Sequence, residues 1–142
     1  MEEAKRIEIP TPVNILWENV LLIPIIGILD SKRAQEIIKT MLTKIMETGY
    51  MAIILDILGV VTVDSAVANH LMKITKATKL MGCTSIISGI SPAVAQSLVS
   101  LGVELGDVIT NSTLRDALER AFEISGLEVR KKTEINALKI EY

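Results

Sequence analysis

Hydrophobic and polar positions change period several times along this chain, and each period predicts a conformation. Val13 to Trp17 and Val20 to Ile26 are short aliphatic runs separated by Glu18-Asn19, which predicts two strands joined by a tight turn. Pro24 has no N–H to offer a neighbouring strand, so the second run should be interrupted or face an open edge there. From Ser31 the period lengthens. Ala34, Ile37, Ile38, Met41, Leu42 and Ile45 recur at spacings of three and four, with Lys32, Arg33, Glu36, Lys39 and Lys44 between them. This spacing predicts an amphipathic helix that Gly49 ends.

Ala52 to Ile57 then shows no polar alternation, the pattern of a strand covered by helices on both sides. The apolar stretch Ile53 to Val63 gives way at Asp64-Ser65 to a second helical pattern from about Ala66 to Met81. That helix should bury Val67, Leu71, Ile74 and Thr78 and turn Asn69, Lys73, Lys76 and Lys79 to water, with Gly82 as its stop. Thr84 to Ile87 reads as a short buried strand. Ser91-Pro92 opens a third helix with the stripe Val94, Leu98 and Leu101. Val108-Ile109 is a brief last strand, and Asn111-Ser112-Thr113 caps a fourth helix carrying Leu114, Ala117, Leu118, Ala121 and Phe122 inward until Gly126. The expected organisation is a lead segment 1–12, one domain over 13–125, and a polar, mobile C-terminal tail over 126–142.

Strands alternating with helices imply an α/β fold with a mixed, mostly parallel sheet of about five strands and about four helices. In such a sheet every helix that follows a strand starts at the carboxyl edge, where ligands and charges are received. Ser31, Ser65, Ser91 and Thr110-Asn111-Ser112 should therefore gather along one rim. A hydroxyl at Ser65 is a natural helix cap and lies beside unpaired N–H groups of positive partial charge, so a phosphoryl group would be tolerated there. On the residues alone, helix capping is the favoured reading of Ser31, Ser65 and Ser91, since caps are common and favour serine.

Composition narrows the chemistry. A net charge of −2 provides no basic field to draw in nucleic acid. Cys83 and His70 are single copies, which excludes an internal disulfide and a Cys/His metal cluster within one chain and suits a reducing cytoplasm. Gly82-Cys83 reads as a helix stop followed by a buried thiol, and His70 as a packed or half-exposed imidazole. The longest uncharged apolar runs, Val20 to Leu29 and Ile57 to Val63, fall short of the roughly 20 residues of a membrane span. Hydrophobic residues make up 49% of the chain and aromatics only 3%, so the core is aliphatic and apolar area is left for self-association. Asp56 and Asp64 stand eight apart with no nucleophile or metal motif between them, and they are read as loop-shaping residues rather than an acid/base pair.

The segment from Ile54 to Leu71, containing Asp56, Leu58-Gly59 and Asp64-Ser65-Ala66, resembles the signature of STAS domains, the fold of anti-sigma-factor antagonists. It is most similar to stressosome scaffold proteins of the RsbR type. Pro24 to Ser31, Gly89 to Gln96 and Leu101-Gly102-Val103 support the resemblance, which covers roughly Pro12 to Phe122. The resemblance implies a non-enzymatic regulatory module with no cofactor, phosphorylated at Ser65 by an RsbT-like serine/threonine switch kinase. Ser31 matches a second acceptor of RsbR-type proteins, a position at which the single-site partner RsbS typically has no hydroxyl. Partners so implied are the kinase, an RsbS-like STAS protein and further copies of the chain, meeting a rim that holds Asp30, Asp56 and Asp64. Serine stands at both acceptor positions where threonine is usual, and Leu58 replaces a small hydroxyl residue common in that loop.

Two other functions fit less of the sequence. One is a simple anti-anti-sigma factor that binds an anti-sigma kinase one to one. The other is a nucleotide-binding module holding phosphate at helix N-termini, for which no Gly-rich phosphate loop is present. An enzyme comes last, since no nucleophile, base and metal set assembles.

Overall fold

A computed structural model describes residues 10–102 and 108–133, and within them strands and helices alternate as the periods predict. The order is β1 (Asn14–Trp17), β2 (Val20–Gly27), α1 (Ser31–Thr48), β3 (Ala52–Val60), α2 (Ser65–Leu80), β4 (Thr84–Ser88), α3 (Pro92–Ser100), β5 (Ile109–Thr110) and α4 (Leu114–Ile124). The five strands lie side by side in chain order. β1 is antiparallel to β2, and β2 through β5 are mutually parallel, giving a mixed sheet with four helices.

Asn19 makes the hairpin possible by taking a left-handed backbone, φ 67°, which asparagine tolerates better than most residues. Its side chain then ties down two other segments. Oδ1 accepts from the Met51 N–H at 2.8 Å, and Nδ2 donates to Ser125 Oγ at 2.9 Å. Pro24 shows both predicted consequences. β1 pairs with β2 only as far as Leu22, so the β1-side edge is open at Pro24, and the β2–β3 register slips between Pro24 and Ile26.

β3 is the central strand and is buried on both faces over Ala52 to Leu55, which explains the consecutive apolar residues there. Ile53, Leu55 and Ile57 join Leu21, Ile23 and Ile25 beneath α1 and α2, against Ile37, Met41, Leu71 and Ile74. Ala52 and Ile54 join Val20 and Ile86 on the opposite face, beneath Ala117 and Ala121 of α4. Each fully buried Leu or Ile contributes about 1.5–3 kcal/mol, and the fully buried core is aliphatic, with Tyr50 and Phe122 packed only at its margins. Thr78 is buried between α1 and α2, and its hydroxyl donates to the Ile74 carbonyl at 2.8 Å. The Gly49 stop of α1 is left-handed at φ 67°, with its N–H donating to Ile45 O.

Several expected boundaries and faces are corrected. β3 runs on to Val60, and the last strand is Ile109–Thr110 rather than Val108-Ile109. Leu101 and Leu114 are exposed rather than inward. Of α3 only Leu98 is buried, because β5 is two residues long and offers that helix little sheet to cover. Leu114 lies in the first turn of α4, ahead of the small residues Ala117 and Ala121 that let the helix approach the sheet. Residues 126–133 are exposed. Residues 1–9, Val103 of the third quoted motif, and 134–142 of the expected tail lie outside the described residues.

Candidate functional site

Helices α1 to α4 each start at the carboxyl edge of the parallel strands, so the predicted rim forms. β2 leads to Asp30 and Ser31, β3 to Asp64 and Ser65, β4 to Ser91, and β5 to Asn111, Ser112 and Thr113. The neighbouring β2 and β3 exits are joined directly, the Val61 N–H donating to the Gly27 carbonyl at 3.0 Å.

Capping is divided differently from the sequence expectation. Asp30 caps α1, its carboxylate accepting from the Arg33 N–H at 2.8 Å. Asp64 caps α2, accepting from the Val67 N–H at 2.9 Å. Ser31 and Ser65 are the first helical residues and do not cap. Ser91 does cap α3, accepting from the Val94 N–H at 3.2 Å, and Thr113 rather than Asn111 or Ser112 caps α4. The reason is local: of two adjacent cap-competent residues, the one with extended backbone takes the role, and Asp64 has φ −100°, ψ −174°. Ser65 and Ser31 are therefore exposed hydroxyls free of a capping duty, each next to a carboxylate.

Asp56 sits below this edge, half-buried, where its Oδ1 accepts from Ser88 Oγ at 2.9 Å. The next residue on that side, Gly89, has φ +79°, and a Cβ there would stand 2.6 Å from Leu58 N and 2.7 Å from Asp56 Oδ1. The β4–α3 turn thus presses its backbone against β3 where β3 leaves the sheet. On the other side, a Cβ at Gly59 would come within 3.0 Å of Ile26. The arm that carries Ser65 is held from both flanks.

Around the two serines the rim is apolar. Ile26 is 67% exposed, Ile28 72%, Leu58 72% and Val61 69%. Single exposed aliphatics are ordinary, but four on two adjoining junctions form a surface suited to a protein partner. A groove of about 300 Å³ continues it, lined by Leu58, Val61, Val63, Ser91, Val94 and Ser97. Sequence reasoning missed these exposed aliphatics along with Ser88 and Arg33, and the only signal for them was a hydrophobic content high for the chain's size.

Other candidate chemistry is placed elsewhere. Cys83 is buried at the opposite end of β4, and loss of hydration pushes its thiol up to about 12. His70 is half-buried on α2. Among the described residues no group of three or more His, Cys, Asp or Glu is disposed to hold a metal ion, and no helix is long and apolar enough to cross a membrane.

Comparison with known proteins agrees with this geometry. RsbRA of Bacillus subtilis, described as an RsbT co-antagonist protein, is 32% identical over 86% of this chain and 44% of its own length. RsbRD of the same organism, described likewise, is 35% identical over 82% of this chain and 42% of its own. The chain thus spans less than half the length of these curated relatives. A variant of RsbS from Moorella thermoacetica superposes with a TM-score of 0.69 at 23% identity, covering 82% of this chain and 98% of that one, a likeness of fold. The family model described as the STAS domain matches residues 11–121, and this chain belongs to that family.

Proposed function

We propose that this STAS domain is a phosphoacceptor and protein-binding module of a stressosome-like signalling complex, switched at Ser65 and at Ser31 by an RsbT-like serine/threonine kinase. The observation that carries the reading is the division of labour at the α2 junction: Asp64 takes the cap, leaving the Ser65 hydroxyl exposed on an apolar rim. A capping serine would have its oxygen occupied by the helix. This one has nothing structural to lose on modification.

The switch is electrostatic. A phosphoryl group adds about −1.5 to −2 charges, and a helix N-terminus offers only about +0.5 in compensation, already shared with the Asp64 carboxylate. With Asp56 below the same arm, the excess negative charge falls on the apolar surface of Leu58 and Val61 and weakens a partner docked there. The chemistry of transfer belongs to the kinase. The chain supplies acceptors, a docking rim with Asp30, Asp56 and Asp64, and association with an RsbS-like STAS protein and with its own copies in the cytoplasm. Exposed Ile15, Trp17, Met46 and Leu80 away from the rim support such association.

Incubation with an RsbT-type kinase and ATP tests the reading by mass spectrometry. Phosphate is expected on Ser65 first and on Ser31 more slowly, with Ser65→Asp reducing kinase retention. Labelling confined to other residues, or full retention by Ser65→Asp, would overturn it.

A further inference from the structure

Arg33 is the residue that joins the most separate parts of the rim. It stands in the first turn of α1, its N–H held by the Asp30 cap. Helical side chains lean toward the N-terminus, and this one reaches back past the helix start. Its Nη1 donates to the carbonyls of Ile26 and of Ile28, the latter at 3.0 Å, and its Nε donates to Thr11 Oγ1 at 3.0 Å. The guanidinium therefore holds the carbonyls of the residues on either side of Gly27. Gly27 has φ +86°, a turn that glycine takes without strain, and its carbonyl receives the Val61 N–H of the arm leading to Ser65.

A continuous chain of contacts follows: Thr11 before β1, the guanidinium, the Ile26–Ile28 turn, Gly27 O, Val61 N–H, and then the Ser65 arm. We propose that Arg33 is a positioning residue that couples the two acceptor junctions, so that charge placed on Ser31 alters how firmly the Ser65 arm is held. The physical step is competition. Backbone carbonyls and a threonine hydroxyl are neutral acceptors, whereas a phosphoryl group at the start of the same helix is a dianion whose bonds to guanidinium are charge-assisted and can be bidentate. Once Arg33 turns toward it, the Ile26–Ile28 turn and Thr11 lose their donor, and the Gly27–Val61 bond loses its backing. Ser31 then acts on Ser65 without either side chain touching the other.

The proposal rests on the acceptor reading, but its test needs no kinase. Amide hydrogen exchange is measured by NMR on the whole chain, unmodified and with phosphoserine installed translationally at Ser31. Phosphoserine is expected to speed exchange at Val61 on the order of tenfold relative to Leu55 in the central strand, as loss of roughly one supported hydrogen bond would. Arg33→Gln should show that faster exchange already, and phosphoserine should then add nothing. Arg33→Lys, which keeps the charge but not the fork, should fall between and serves if Arg33→Gln does not fold. Unchanged Val61 exchange on modification, or equal acceleration by phosphoserine in the Arg33→Gln or Arg33→Lys background, would overturn the coupling. Failure of kinase labelling with the exchange pattern intact would instead count against the acceptor assignment alone.

Discussion

Replacing Gly89 with alanine should be one of the most damaging single-methyl changes in the domain, and its magnitude can be worked out. The added Cβ would meet Leu58 N at 2.6 Å, Asp56 Oδ1 at 2.7 Å and Leu58 Cβ at 2.8 Å. Two of these belong to backbone or to a carboxylate fixed by Ser88, so neither retreats cheaply. Overpacking of this kind costs about 1–3 kcal/mol, and the left-handed backbone at φ +79° adds about 1 kcal/mol for any residue with a Cβ. Together they predict about 2–4 kcal/mol. At roughly 3–5 °C per kcal/mol for a chain of this size, Tm should fall by about 6–20 °C. Gly49→Ala separates the two contributions, since Gly49 has φ +67° with nothing within 4 Å of the added methyl, and it should cost only about 1 kcal/mol. Urea unfolding of both variants, with m-values checked for equality, measures the difference. If the two variants were equally stable within about 0.5 kcal/mol, the close approach of the β4–α3 turn to β3 would be refuted.

The cap assignment predicts that Asp64→Ala destabilises by about 1 kcal/mol while Ser65→Ala changes stability by less than about 0.5 kcal/mol; the reverse order in thermal melts would restore the serine as the cap. Cys83, with its thiol raised from 9.0 to about 12 in the folded state, should resist a thiol reagent at pH 8 until the protein unfolds. The raised value means the folded state keeps its proton while the unfolded thiol ionises, so stability should decline as pH rises above 9, and Cys83→Ala should flatten that decline.

Elements governed by periodicity were legible from the chain alone. α1 follows from its three-and-four spacing and its glycine stop, and the two-sided burial of β3 from the consecutive apolar residues Ala52 to Leu55. The rim followed from connectivity, because any parallel strand delivers its helix start to the same edge. Capping was not legible at Asp64-Ser65, since both side chains cap well and the choice depends on which residue turns extended. Arg33 was hidden for another reason. Its acceptors include main-chain carbonyls, which carry no sequence signature, so a residue counted among the wet positions of α1 turns out to hold the Ile26–Ile28 turn. Leu101 and Leu114 mark the limit of stripe reading, which presumes a sheet wide enough to meet every turn of the helix.

The strands stand in the sheet in the same sequence as along the chain. Successive parallel crossovers consequently all step in one direction, and the loops leaving β2 and β3, which carry Ser31 and Ser65, both lead to helices on the same face, so they do not diverge to opposite sides in the way open α/β sheets create a crevice for a cofactor. What such a layout offers at its functional end is a broad shelf, whose geometry matches the face of another macromolecule better than the outline of a metabolite.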